Sequence, residues 1–194
     1  MNYLAHVFLS GTEEDLSIGN FIADHVKGKA YLNYSAAIQK GILLHRKIDH
    51  FTDQHLLFKK NVSLLFPQYR HYSRVIVDMF FDHLLAAQWS KYHSDSLEKF
   101  SSNFYTLMDQ YEGELPEKTK KMIPVMLENN WFVAYRTFGG LGEMLYQMSQ
   151  RTRFPSNLSL AITELKENYS QIEKDFITFF AELQAFVADE MRKL

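Results

Sequence analysis

Residues 41–53 (GILLHRKIDHFTD) and 74–89 (RVIVDMFFDHLLAAQW) decide the fold, because both have helical periodicity and both carry ionisable side chains among apolar ones. On the first predicted helix, His45 and Asp49 lie one turn apart, on the face that also carries isoleucine and leucine side chains. We therefore expect both side chains to point towards the interior of the protein.

The second stretch is apolar almost all the way round, which predicts a buried helix. Asp78 and Asp82 lie in its middle, where neither can act as a cap, and an unpaired buried carboxylate costs several kcal/mol. A positive partner is therefore expected. It is either Arg74, one turn before Asp78, or a divalent cation held jointly with His45 and Asp49.

Two interpretations of these residues stay open, a buried ion-pair network and a metal site. Two helices that both carry acids one turn apart on a core face, one of them with a histidine, favour mixed imidazole and carboxylate ligation of Mn²⁺, Mg²⁺ or Fe²⁺. The chain has no cysteine, which excludes disulfides and thiolate zinc sites. Asp24 lies one turn after Asn20 on an earlier helix, and it is either a further ligand or an exposed acid.

Length and composition indicate one compact all-α domain, a helical bundle over residues 1–194. The chain has 194 residues, 46% of them hydrophobic, with only eight glycines and four prolines. No stretch reaches the roughly 18 consecutive apolar residues of a membrane span, and the first residues lack the pattern of a signal peptide. We therefore expect a cytoplasmic protein without a membrane partner. A net charge of -2 and the absence of a basic stripe argue against nucleic acid.

Four segments together resemble the acyl carrier protein phosphodiesterase family, a divergent branch of the HD-type metal-dependent phosphohydrolases. They are MNYLAHVFLS, GNFIADHVKG, GILLHRKIDHFTD and RVIVDMFFDHLLAAQW, in the same order as in the family. The resemblance implies an all-helical, HD-domain-like fold and a divalent metal, typically Mn²⁺. It also implies hydrolysis of the phosphodiester that joins 4'-phosphopantetheine to a serine of acyl carrier protein. The adjacent His-Asp pair that names the HD group is absent as a dipeptide, because a helical turn separates His45 from Asp49.

Carried over by motif, the family's functional positions fall on residues from all four segments. The implied metal ligands are His6, Asp24, His45, Asp49, Asp78 and Asp82. The predicted catalytic set consists of Asp24 and His83 from these motifs, and of Arg46 and Arg74 from the need to neutralise a phosphate. The two arginines are placed either to neutralise the phosphate, where a guanidinium can bind two oxygens, or to pair with a nearby acid. The serine oxygen needs a general acid, and His83 or His50 can serve.

An acyl carrier protein is acidic, so this substrate predicts a basic rim around the site. The residues that can supply it are Lys27, Lys29, Arg46, Lys47, Lys59, Lys60, Arg70 and Arg74. Two other functions stay open. One is a related phosphohydrolase acting on a small nucleotide or phosphate ester. The other is a non-catalytic helical interaction protein whose inward acids pair with Arg74, Arg136 or Arg151. The oligomeric state stays open as well.

Overall fold

The structure, a computed structural model, describes residues 1–152 and 156–193, and every regular element in that part of the chain is a helix. The α-helices are α1 (Tyr3–Leu9), α2 (Glu14–Ile22), α3 (Ala36–Gln54), α4 (Leu56–Tyr69), α5 (Ser73–Ala87), α6 (Leu97–Gln110), α7 (Glu117–Glu128), α8 (Trp131–Ala134), α9 (Phe138–Ser149), α10 (Ala161–Glu167) and α11 (Tyr169–Met191). The predicted all-α class is confirmed. Of the predicted domain over residues 1–194, residues 153–155 and 194 lie outside the described part. None of the helices described is both long and apolar enough to cross a membrane.

Helix α5 is the buried centre of the fold, as its sequence predicts. Its fully buried side chains are Ile76, Val77, Phe80, Phe81, Leu84 and Leu85. The helix packs against α1, α4, α9 and α11. Burying each of these side chains contributes about 1.5–3 kcal/mol, so α5 provides a rigid support for the helices around it. One of them is α1, which carries His6.

Helices α2 and α3 approach closely enough for their backbones to touch, because a glycine lies on each helix at the contact. A Cβ atom at Gly19 would overlap the carbonyl oxygen of Ile38, and one at Gly41 would overlap the carbonyl oxygen of Leu16. With no side chain between the helices, the main chain of α2 can reach side chains that extend from α3. This contact positions the functional site described below.

The bounds of α3 follow from its local sequence. The side chain of Ser35 accepts the backbone N–H of Ile38 as an N-cap, and the helix ends at Gln54. Helix α11 packs along α3 and α4. Lys47 and Lys60, two lysines predicted for the basic rim, form ion pairs with acidic side chains of α11 instead.

We predict that Gly41→Ala weakens the fold, because the new methyl group must push the backbone of α2 away. Overpacking of this kind lowers the free energy of unfolding by about 1–3 kcal/mol. Gly139→Ala is the matched control, since Gly139 is also helical but a Cβ there meets no atom within 4 Å. Urea unfolding followed by circular dichroism measures both variants. Equal stability changes would contradict the close contact between α2 and α3.

Candidate metal centre

Three side chains from two helices converge on one point: His6 of α1, and His45 and Asp49 of α3. His6 Nε2 lies 3.2 Å from Asp49 Oδ1, and His45 Nε2 lies 3.1 Å from Asp49 Oδ2. One nitrogen from each histidine and one carboxylate oxygen all lie within 4.8 Å of one another. The two imidazole rings stack with their centroids 3.9 Å apart, and both are buried, whereas Asp49 is partly exposed. The predicted placement of His45 and Asp49 on one helical face is therefore observed.

Asn20 of α2 sets the orientation of both histidine rings. Its side-chain oxygen lies 2.8 Å from Nδ1 of His6, and its backbone oxygen lies 2.7 Å from Nδ1 of His45. The side-chain nitrogen of Asn20 donates to the carbonyl oxygen of His6 and to the hydroxyl of Ser10, so Oδ1 is the atom that faces the ring. Because both oxygens are acceptors, each ring carries a proton on Nδ1 and directs Nε2 at Asp49. Bonds of this kind orient histidines that bind metals.

Sequence reasoning missed this role of Asn20, which was considered only as a neighbour of Asp24. The available signal was its position inside a helix, where a short amide side chain has poor propensity and competes for backbone hydrogen bonds. An uncharged residue in that position points to a structural or positioning role, but it does not identify the two rings that it contacts.

The Nε2 atoms of both rings face the carboxylate of Asp49. This arrangement is favourable only when a proton or a cation places positive charge between the nitrogens and the carboxylate. A protonated His45 supplies part of that charge, but His6 supplies none at neutral pH, because burial, and after it the charge of His45, lower the pKa of His6 to about 4. Its Nε2 is buried and has no hydrogen-bond partner among the described residues, since Asp49 is close but out of line. A divalent cation bound by both imidazoles and Asp49 would satisfy all three groups, and this donor set suits Mn²⁺ or Fe²⁺.

Asp24 lies at the exposed edge of the site, on the short 3-10 helix that follows α2. Its Oδ1 is 3.4 Å from Nε2 of His45. Burial lowers the pKa of His45, but hydrogen bonds to Asp24 and Asp49 outweigh burial and raise this pKa to about 9. The hydrogen bond to His45 lowers the pKa of Asp24, so its carboxylate stays charged. A cation must therefore displace a proton from Nε2 of His45, and Asp24 can act as a further ligand or hold a water.

Asp78 and Asp82 are predicted ligands that do not belong to the three converging residues, and each has other partners in the structure. The terminal ammonium of Met1 donates to Oδ1 of Asp78 over 2.7 Å. Asp82 accepts backbone N–H groups at the start of α1, including that of Leu4 at 2.8 Å. The amino terminus is thus the positive partner of Asp78, while Asp82 satisfies N–H groups that a helix start leaves unpaired. Together the two acids hold α1, and hence His6, against α5.

The two predicted catalytic arginines have partners within the fold, and their assignment to the phosphate stays a prediction. Arg46 donates to the carbonyl oxygens of Val26 and Gly28, over 3.1 and 2.9 Å. Arg74 forms an ion pair with Asp53. Both guanidinium groups therefore have structural partners, and only Arg74 pairs with an acid, as the other interpretation of these residues expects.

His83 and His50 are not brought to the site either. Nδ1 of His83 lies 2.7 Å from the carbonyl oxygen of Tyr135 and donates its proton there. The His83 ring lines a separate cleft with Phe138 and Lys166, and none of the three converging residues is among the described residues of that cleft. His50 is exposed and lines a groove at the C-terminal end of α3. The prediction that one of these histidines is the general acid is not supported by their positions.

Two lysines of the predicted basic rim, Lys27 and Lys29, are exposed and follow Asp24 closely in the chain. Lys118 of α7 belongs to the same region, because burial together with the charges of Lys118 and Lys27 lowers the pKa of His25, the residue after Asp24. Sequence reasoning did not assign Lys118 to the rim, since only the folded chain brings α7 next to this segment. The positive charge near the site is therefore concentrated beside Asp24.

Comparison with known proteins gives one consistent result. The family model described as acyl carrier protein phosphodiesterase matches residues 1–183. A protein of that name from Photorhabdus laumondii is 28% identical over 181 residues, covering 93% of this chain and 91% of the relative. A protein of the same name from Serratia proteamaculans is 26% identical over 191 residues, covering 98% of this chain and 99% of the relative. No match was found among solved structures, so the HD-domain-like part of the fold stays a prediction.

We predict that Asp82→Ala loosens α1 from α5. The N–H groups of Asn2 and Leu4 lose their acceptor, and each unpaired buried donor costs about 1–3 kcal/mol, so the free energy of unfolding should fall by about 2–6 kcal/mol. Asp82→Asn keeps an acceptor oxygen and should lose less. Guanidinium unfolding measures both variants. An unchanged free energy of unfolding in Asp82→Ala would show that this carboxylate does not anchor α1.

Proposed function

This chain belongs to the acyl carrier protein phosphodiesterase family, and we propose that it hydrolyses the phosphodiester between 4'-phosphopantetheine and a serine of acyl carrier protein. The products are the apo carrier and free 4'-phosphopantetheine. The match to the family model includes every residue of the candidate metal centre. The observation that carries the proposal is the convergence of two oriented imidazoles and a carboxylate at one partly exposed point. Hydrolysis of phosphate esters by metal-dependent enzymes relies on such donor sets.

We also propose that His6, His45 and Asp49 hold a divalent cation, with Mn²⁺ as the first candidate and Mg²⁺ or Fe²⁺ as alternatives. The buried and unpartnered Nε2 of His6 supports this assignment, as does the short approach of both rings to Asp49. When bound, the cation supplies Lewis-acid polarisation of a phosphoryl oxygen and lowers the pKa of a water. Because His45 must give up a proton, the affinity for the cation should fall as the pH drops below about 9.

The residues of the chain have separate tasks around this point. Asn20 keeps both Nε2 atoms aimed at the reacting centre, which is the outer-shell role that tunes a metal ligand. Asp24 is charged and exposed, so it can orient the attacking water and accept its proton. Lys27 and Lys29 attract the acidic carrier protein and favour encounter more than they favour the chemical step.

Intact mass spectrometry of holo acyl carrier protein tests the proposed reaction. After incubation with this protein and Mn²⁺, the carrier should lose the mass of the phosphopantetheine group, and excess chelator should prevent the loss. The Asp49→Asn variant is the control. The carrier should keep its phosphopantetheine group when it is incubated with this variant. A carrier that keeps its prosthetic group under all metal conditions would overturn the proposed substrate.

Metal binding by two matched aspartate variants separates the proposed ligand from a buried structural acid. Asp49→Asn should weaken Mn²⁺ binding by about 100-fold or more, since losing even an outer-shell partner costs 10–100-fold. Asp78→Asn should keep its metal, because Asp78 pairs with the amino terminus. Equilibrium dialysis followed by elemental analysis measures both, with circular dichroism as a check on folding. The opposite pattern would place the metal beside α5 and remove it from Asp49.

A further inference from the structure

Another cleft borders α1, the helix that carries His6, and its lining is unusually rich in methionine. The cleft encloses about 360 Å³, within the range of small-molecule sites. Its walls come from α1, α5, α7, α8 and α9, and the side chains that matter here are Tyr3, Met79, Met122, Trp131, Met144 and Met148. Thioether side chains are flexible and polarizable, so a surface made of them adapts to a slim and flexible occupant.

Tyr3 lines the cleft and lies on the same helix as His6 of the candidate metal centre. This residue lies three positions before His6 on α1, so the two side chains are neighbours on one side of the helix. The ring of Tyr3 packs against Phe21 of α2 on one side, with centroids 5.4 Å apart, and against Trp131 of the cleft on the other, at 6.1 Å. Burial and the charge of Asp24 raise the pKa of Tyr3 to about 12, so its hydroxyl stays protonated near that carboxylate. A ligand that extends from the metal centre into the cleft would pass Tyr3.

Trp131, in the wall of the cleft, carries a polar group that has no partner among the described residues. Nε1 of Trp131 is buried and makes no hydrogen bond to any described residue. A buried donor left unpaired costs free energy, so an acceptor on a ligand would be favourable there. The cleft therefore suits a narrow, mainly aliphatic chain that carries carbonyl oxygens. A pantetheine arm has this chemistry, because its methylene and dimethyl groups alternate with two amides.

We propose that this cleft binds the pantetheine arm of the holo carrier protein while the phosphodiester lies at His6, His45 and Asp49. Nε1 of Trp131 donates to a carbonyl oxygen of the arm, and the four methionines enclose its aliphatic parts. The inference rests on the proposed function, since that function supplies a substrate with such an arm. Binding energy from a remote part of a substrate can be used to position its reacting bond, so the cleft contributes to selectivity for this phosphodiester.

Titration with pantetheine, which has no phosphate, tests the cleft independently of catalysis. In protein labelled with ¹³C at the methionine methyl groups, the signals of Met79, Met122, Met144 and Met148 should shift as pantetheine is added. Met108, Met126 and Met191 do not line the cleft and act as internal controls. Trp131→Phe keeps an aromatic ring but removes the donor, so it should weaken binding about three- to tenfold. Absence of shifts at the four cleft methyls, or equal shifts at all seven, would overturn the proposal.

Kinetics with two substrates separate the cleft from the reaction itself. Met148→Trp fills the cleft and should lower kcat/KM for the holo carrier about tenfold or more, a larger loss than for bis(p-nitrophenyl) phosphate, which lacks the arm. Tyr146→Trp adds an indole on the same helix outside the cleft and is the matched control. An equal effect of Met148→Trp on both substrates would contradict a role in binding the arm. If the unchanged protein does not hydrolyse the holo carrier, the proposed function fails, and the methyl titration still decides whether the cleft binds pantetheine.

Discussion

The hydrogen bonds that Nδ1 of His6 and Nδ1 of His45 donate to the oxygens of Asn20 are the interactions on which the site depends. One bond uses the side chain of Asn20 and the other uses its backbone, so a single residue aligns rings from two different helices. The backbone bond is possible because Gly19 and Gly41 allow α2 and α3 to touch. Small residues at a helix contact, which usually reflect packing alone, here determine where a histidine points.

The buried acids of α5 contribute to the same arrangement by holding α1 in place. Asp78 and Asp82 bind the amino terminus and the first N–H groups of α1, and this fixes the helix that carries His6. The acids therefore act on the site through another element and do not touch the converging atoms. An unpaired carboxylate is costly to bury in an apolar core. Both acids can be buried here because each has a specific partner.

The sequence predicts the parts of this protein that depend on local periodicity. The buried α5 and the shared face of His45 and Asp49 follow from spacing along one helix, and both are observed. The partner of Asp78 could not be predicted in this way, because it lies 77 residues away at the amino terminus. Positions carried over from the resemblance included His6, which joins the centre, and also Asp82, which does not. A motif preserves residue types but does not say which of them share one point in space.

The central claim is that His6, His45 and Asp49 bind one divalent cation through atoms that Asn20 orients. Diffraction from crystals grown with Mn²⁺ and measured at the manganese absorption edge tests it most directly. We expect an anomalous peak within coordination distance of both Nε2 atoms and the Asp49 carboxylate, with Nδ1 of each ring still bonded to Asn20. A peak beside Asp78 and Asp82, or a fully ordered site without any peak, would contradict the claim.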